Sequence, residues 1–481
     1  MDRIVAYYLG LFLKIYSAFL LVPVAVGRYF GESFVQMEPF IYAAFISIVL
    51  GYALDYWGVK KEPDAIEGML AATTGWIAAV AIGALPFMAM LNMGFVDAFF
   101  ELMAGFTTTG MSILPDPAVM PHSLSFWRGF SQWIGGLGML TFFVAVIIEA
   151  GGVAQSLLFA EADKTDAGTI RPSPINAIKS LWYVYIVFTA LQATILYLLD
   201  LSVFDAVMYA FQTLPTGGFS HTAGGIAAFD SLAIEATFTV FMFIGGTNFL
   251  LLYLLLKGRP WAVLRNYEFR LMTKVLALAL VIIGLDVWMN SGRTIIETVR
   301  VTVFMTVSVM SSTGFEPTGV RTFPELSKMI FLMLMFVGAS LGSTTGGIKM
   351  LRFGVLLRVV IREVRSFSMP RSAVNPIMIG ARRIKTEELL RIITIVTVWL
   401  TMIMGGAVIT IVFSDLAMIE AIQGMTSSMG TMGPLFIEPG ELIGLHPVVK
   451  LLWCLGMLAG RLEILPILIL MNVEVVKRIR G

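Results

Sequence analysis

The chain has 481 residues, of which 58% are apolar and 14% charged, and its formal net charge is +1. Soluble domains carry about 25% charged residues, so this composition excludes an ordinary soluble globular protein. The near-neutral balance excludes a basic face for nucleic acid, and no HExxH or CxxC spacing accompanies the single Cys454 or the scattered His122, His221 and His446. Metal-dependent or nucleophilic catalysis therefore lacks a motif, and the expectation is a non-enzyme without a bound cofactor.

Apolar runs long enough to cross a bilayer recur along the chain. Residues 4–26 and 38–57 read as two membrane helices, and the absence of an A-x-A-like site after the first reads it as a retained helix. After the polar stretch from Asp55 to Glu67 the same pattern recurs four times. A long apolar helix precedes a shorter amphipathic stretch that ends in a Thr/Ser/Gly cluster. An irregular segment and a second long helix follow. The first unit reads as 68–93, 107–112 and 124–150, and the second as 177–200, 213–220 and 231–257. The third reads as 271–290, 311–319 and 325–362, and the fourth as 388–413, 427–434 and 447–478. The expected organisation is 1–64 for the two leading helices, then units at 65–155, 156–260, 261–380 and 381–481.

Lys and Arg concentrate between units, as Lys257, Arg259, Arg265, Arg270 and Lys274, again from Arg352 through Arg371 to Arg391, and as Lys477, Arg478 and Arg480. The segments after the clusters hold few, among them Arg128, Arg321 and Lys328. Basic residues mark the cytoplasmic side, so the clusters are expected to open outward and both termini to lie inside.

The clusters are Thr107-Thr108-Thr109-Gly110, Pro215-Thr216-Gly217-Gly218, Ser311-Ser312-Thr313-Gly314 and Gly430-Thr431-Met432-Gly433. In three of them an acidic residue stands thirteen positions before the last glycine: Asp97, Asp205 and Glu420. The third has Val301 there and Glu297 one helical turn earlier. An acid at a helix start suits capping and the macrodipole. Non-helical backbone is tolerated in a bilayer only where protein buries it or it lines a watery path. Four re-entrant helices with their negative ends inward would favour a cation, and carbonyls of four glycine loops can replace its hydration shell.

The chain resembles the Trk/Ktr/HKT superfamily of cation transporters, and within it the bacterial-type Trk membrane subunit. The resemblance rests on FTTTG at 106–110, FWRGFSQWIGGLG at 126–138, TGGFS at 216–220, FIGGTNFLL at 243–251, STTGGIK at 343–349 and GRLEI at 460–464. It implies an all-α membrane protein in which four helix–pore helix–helix repeats surround one pore in pseudo-fourfold fashion, preceded by two extra helices. The implied selectivity filter is Thr108, Thr109, Gly110, Thr216, Gly217, Gly218, Ser312, Thr313, Gly314, Thr431, Met432 and Gly433. Potassium would touch Thr109, Gly110, Gly218, Thr313, Gly314 and Gly433. Gly110, where a serine would suggest a sodium-selective branch, favours potassium, with rubidium as a congener. A sodium-permeable or sodium/proton-coupled symporter is the alternative. In the fourth cluster the family pattern resembles Asn-Leu-Gly-Pro, and this chain has Thr431-Met432-Gly433-Pro434. The resemblance further implies a homodimer in the inner (plasma) membrane and a cytoplasmic nucleotide-binding regulatory ring of the TrkA type.

Two elements remain. The second helix of the third unit is interrupted at 338–349, where glycine and hydroxyl residues make a poor helix. It lacks the Gly-Lys-Ser/Thr order of a phosphate loop. The residues alone leave either close helix packing through small side chains or a flexible loop below the filter. The resemblance favours a gating loop at Gly342, Ser343, Thr344, Thr345, Gly346, Gly347 and Lys349. Arg461, with Glu463 two residues later, stands in the last apolar helix. Ionisable residues inside a membrane face a cavity or a partner. Residues two apart do not share a helix face, so these two are expected to meet different partners. They form either a structural tie between repeats or a positive charge beside the pore.

Overall fold

The computed structural model describes residues 2–150, 174–370, 376–380, 382–433, 436–437 and 439–464. The expected 155/156 boundary, Arg371, Pro434, the last helix beyond 464 and the basic residues Lys477, Arg478 and Arg480 lie outside the described residues. What is described is almost wholly helical, apart from the two-residue antiparallel pair Met378–Ile379 and Arg382–Arg383.

The leading helices run Arg3–Tyr29 and Phe34–Trp57. Asp2 caps the first, and Ser33 with Gln36 closes a capping box on the second. Four sets of helices, each a long helix followed by a short one, come next. Their first long helices include Ala65–Gly83, Pro174–Leu198, Tyr267–Asn290 and Thr386–Val412. Their short helices are Phe95–Phe106, Val203–Thr213, Ile295–Met310 and Met418–Gly430. Among the described residues six helices are long and apolar enough to cross a membrane, or seven if a bent pair counts as one span. Apolar side chains such as Phe45, Leu278 and Val408 are 60–65% exposed on them, as expected of surfaces facing lipid.

Four helices differ from their expected form, among them the 447–478 helix, which stops at Arg461 with Glu463 and Ile464 at positive φ beyond it. The 68–93 helix breaks after Gly83 into Ala65–Gly83 and Leu85–Leu91, because Pro86 has no N–H to continue the ladder. The 231–257 helix is two pieces, Leu232–Gly245 and Phe249–Leu256, bent by 109°. Asn248 starts the second piece by accepting the N–H groups of Leu250 and Leu251. The third unit's second helix stops at Val337 and resumes at Met350, with Gly338, Gly342, Gly347 and Lys349 at positive φ between them.

The units are joined in a closed ring on the side of the loops that follow the clusters. Arg128 of the first unit donates to the Ser220 carbonyl of the second at 2.6 Å. Arg300 of the third binds Glu235 of the second at 2.7 Å. Arg321 of the third binds Glu441 of the fourth at 2.9 Å. Lys450 of the fourth binds Asp97 of the first at 2.5 Å, closing the ring. The largest apolar cluster lies where the first and fourth units meet the leading helices, around Tyr16, Trp127 and Trp453.

Candidate functional site

The four acids flagged in the sequence all occupy the third residue of their short helices: Asp97, Asp205, Glu297 and Glu420. The displaced acid of the third unit is explained by length, since that helix has 16 residues against 12, 11 and 13. The extra turn is N-terminal. Glu297 closes a capping box with Thr294, and those hydrogen bonds hold its carboxyl below the usual range. The hydrogen bond from His221, 2.9 Å away, does the same for Asp205.

The helix ends are equally alike. Each closes with the reciprocal pair of hydrogen bonds of a Schellman motif. Thr108, Thr216, Ser312 and Thr431 donate three residues back. Thr109, Gly217, Thr313 and Met432 donate five residues back at 2.9–3.0 Å. The pivot residues Thr108, Thr216, Ser312 and Thr431 have φ of 54°, 57°, 56° and 48°. Threonine is β-branched and unfavourable in this region, and strain of this kind, of order 1–3 kcal/mol per residue, concentrates at functional sites. The pattern also sets the register of the clusters. It aligns Gly218, rather than Gly217, with Gly110, Gly314 and Gly433.

The loops touch in a ring. A Cβ on Gly110 would stand 2.1 Å from the Gly217 carbonyl oxygen, and one on Gly218 would stand 1.8 Å from that of Thr313. Both residues have positive φ, so only glycine fits. Gly433 faces the carbonyls of Gly110 and Thr109, with its Cβ position 3.2–3.3 Å away. The fourth glycine is therefore the looser one. Met432 turns into an apolar cluster with Val309, Met335 and Phe436, leaving backbone toward the ring. One cavity of ≈ 520 Å³ is lined by Gly110, Gly218, Gly314 and Gly433 together.

Three of the four pivot hydroxyls, on Thr108, Ser312 and Thr431, are buried without a hydrogen-bond partner among the described residues. Buried polar groups are normally satisfied. Hydroxyl and carbonyl oxygens are the donor type that suits a hard cation.

The interruption lies directly beneath. Thr344 places its hydroxyl 3.2 Å from that of Thr216, and also 3.2 Å from the carbonyls of Leu214 and Gly245. A Cβ on Gly346 would stand 2.3 Å from Thr431 Oγ1. Ser343 and Thr345 join hydroxyls at 2.8 Å, and Lys349 donates to the Thr345 carbonyl. The bent helix of the second unit clasps this segment. Ser340 donates to Gly246 O at 3.1 Å, Phe249 to Gly342 O at 3.0 Å and Asn248 Nδ2 to Leu341 O at 2.7 Å.

Arg461 is fully buried at the end of its helix. It donates to the carbonyls of Thr344 and Gly135, the latter at 2.8 Å. Glu463 instead pairs with Arg352. The two residues meet different partners, but not because of helix spacing: the helix ends at Arg461, and Glu463 stands beyond it at positive φ.

Several participants were assigned no role from the sequence. Glu268 Oε1 accepts the N–H of Leu341 at 2.7 Å and of Leu351 at 3.0 Å, holding both ends of the interruption. Gln132 donates to the Gly217 carbonyl at 2.6 Å. Gly135, Gly245 and Gly460 bring three second helices against the ends of the short helices, where a Cβ would lie 2.0–2.6 Å from the carbonyls of Phe106, Leu214 and Met429. The repeated IGG, IGG and AGR triplets at 134–136, 244–246 and 459–461 were the available signal.

The chain matches the profile of a family described as TrkH, cation transport protein, over residues 32–477. It is 29% identical to the Trk system potassium uptake protein TrkH of Escherichia coli (strain K12), over 97% of this chain and 98% of that protein. It is 30% identical to an uncharacterized cation transporter of Methanocaldococcus jannaschii, over 98% and 96% of the two chains. Its fold resembles the crystal structure of the potassium transporter TrkH from Vibrio parahaemolyticus, with a TM-score of 0.87, 25% identity and coverage of 98% and 99%. An integral membrane protein built on this fold and matched over nearly its whole length, the chain belongs to the TrkH family of cation transport proteins.

Proposed function

We propose that this protein takes up potassium through the ring of four glycine-bearing loops. The observation that carries the reading is the convergence of Gly110, Gly218, Gly314 and Gly433 on one cavity, with each loop's backbone against a neighbour's. Relatives named as potassium uptake proteins support the choice of ion. In this reading carbonyls of the four loops and the pivot hydroxyls replace part of the ion's water shell. The four short helices direct their negative ends at it.

The segment Gly338–Lys349 is the gate in this reading. Its closeness to Thr216 and Thr431 supports a position across the path just inside the ring. Arg461 holds it there through Thr344. The basic residues between units support a cytoplasmic position for that side, and the chain works as a homodimer under a nucleotide-binding ring that moves the gate. The test is influx of rubidium against sodium into liposomes carrying the purified protein. Rubidium is expected to be preferred; equal or greater sodium influx would select the sodium-permeable alternative.

A further inference from the structure

The outer cavity has one wall formed by the segment after Gly314. Glu316 lies on that wall, two residues beyond the glycine. The corresponding residues after Gly110 and Gly218 are Ser112 and Ser220, which also line the cavity. Both serines are occupied with protein groups: Ser112 Oγ donates to Glu101 at 3.0 Å, and Ser220 Oγ to the Thr222 carbonyl at 3.3 Å. Glu316 differs. Its Oε2 accepts the Val320 N–H at 3.0 Å and thereby caps the Val320–Thr322 turn. That is its hydrogen bond among the described residues.

Among the described residues, the other charged groups lining this cavity are two arginines, each bonded elsewhere. Arg128 is engaged by Glu101 at 2.7 Å and by the Ser220 carbonyl. Arg321 is engaged by Glu441 at 2.9 Å and by the Phe436 carbonyl at 2.6 Å, with Glu420 at 3.9 Å. Among the described residues lining the cavity, Glu316 is thus the acidic side chain that shares it with the four glycines.

We propose that the Glu316 carboxylate is an outer binding site for a monovalent cation, which gathers the ion in the cavity before it enters the glycine ring. The inference rests on the ring being the ion path. A single carboxylate on the wall of a partly enclosed cavity attracts a cation more strongly than one in bulk water. It raises the local cation concentration at the mouth. One negative charge is also weak enough to release the ion inward, as conduction requires.

Burial raises the Glu316 carboxyl to about 7. A carboxyl so raised is neutral at lower pH and charged at higher pH, so protons compete with the cation for the site near neutrality.

The experiment is rubidium influx into liposomes over a range of external rubidium, at about pH 8 and about pH 6 outside. Glu316→Gln removes the charge but keeps an oxygen for the Val320 N–H, so the turn keeps its cap. At the higher pH this variant is expected to need at least about threefold more rubidium for half-maximal influx, with its preference over sodium unchanged. Acidification should bring the wild type toward the variant and leave the variant flat. Glu316→Asp, which keeps the charge, should retain the pH response. A Glu316→Gln variant with wild-type half-saturation and pH dependence would overturn the site and leave Glu316 as a loop cap. A Glu316→Asp variant without the pH response would overturn it equally. A wild type that does not prefer rubidium would instead count against the glycine ring as the filter, a separate failure.

Discussion

The hydroxyls of Thr216 and Thr344 lie 3.2 Å apart, one on the pivot of a glycine loop and the other in the middle of the interrupted helix. Ring and interruption are therefore in direct contact, and an ion leaving the ring would meet the segment at once. Shortening it is expected to open the path. Deleting Gly342–Gly347 should raise rubidium influx per folded molecule without altering the preference over sodium, because the ring backbone is untouched. A well-folded deletion variant with unchanged or lower influx would leave close packing as the role of this segment.

Arg461 separates a mechanical role from an electrostatic one. Its guanidinium bridges the carbonyls of Thr344 and Gly135, a two-point geometry that a lysine ammonium does not reproduce. If the bridge holds the segment in place, Arg461→Lys and Arg461→Met should both raise basal influx by roughly tenfold or more, the effect of losing about 1.5–3 kcal/mol from a charge-assisted hydrogen bond. If the positive charge alone impedes ions, only Arg461→Met should do so. The bridge is the expected outcome, read from uptake normalised to folded protein.

Glu268 gives a third handle. Its one oxygen accepts both Leu341 and Leu351, so Glu268→Ala leaves two buried N–H groups without a partner, each costing about 1–3 kcal/mol. Lower thermal stability and higher basal influx are expected together. Glu268→Gln keeps an acceptor oxygen and should stay near wild type. An alanine variant with full stability and unchanged influx would show that the clasp is dispensable.

Much of this site was legible because the four helix starts repeat. An acid at a fixed distance from a glycine marked Asp97, Asp205 and Glu420, and the exception at Val301 was the trace of a longer third helix. The bend at Gly245–Asn248 was not legible, because strongly apolar residues on both sides continue the pattern of one span. Asn248, a capping residue within an apolar run, is a weak mark that does not by itself break such a span. The Glu268 clasp could not be read at all. Its partners lie 73 and 83 positions away, and nothing local marks a carboxylate at a helix start as one that reaches a distant loop. The ring order likewise appeared only when Lys450 met Asp97 across 353 positions.

The glycines differ in what they tolerate, which gives a graded expectation. Gly110 and Gly218 have positive φ and no room for a Cβ, whereas Gly433 has neighbours at 3.2–3.3 Å that need shift only by a few tenths of an ångström. Gly218→Ala should therefore damage selectivity or folding more than Gly433→Ala. Equal effects would contradict the looser fit of the fourth loop.

The most direct test of the central claim is the rubidium-to-sodium influx ratio of wild type and Gly110→Ser, side by side in liposomes. A serine Cβ at Gly110 would press on the Gly217 carbonyl from 2.1 Å and push the neighbouring loop of the ring out of place. The account predicts a wild type that prefers rubidium and a folded variant whose ratio falls by about tenfold, the equivalent of roughly 1.4 kcal/mol. A folded Gly110→Ser with the wild-type ratio would contradict the assignment of the four-loop ring as the selectivity filter.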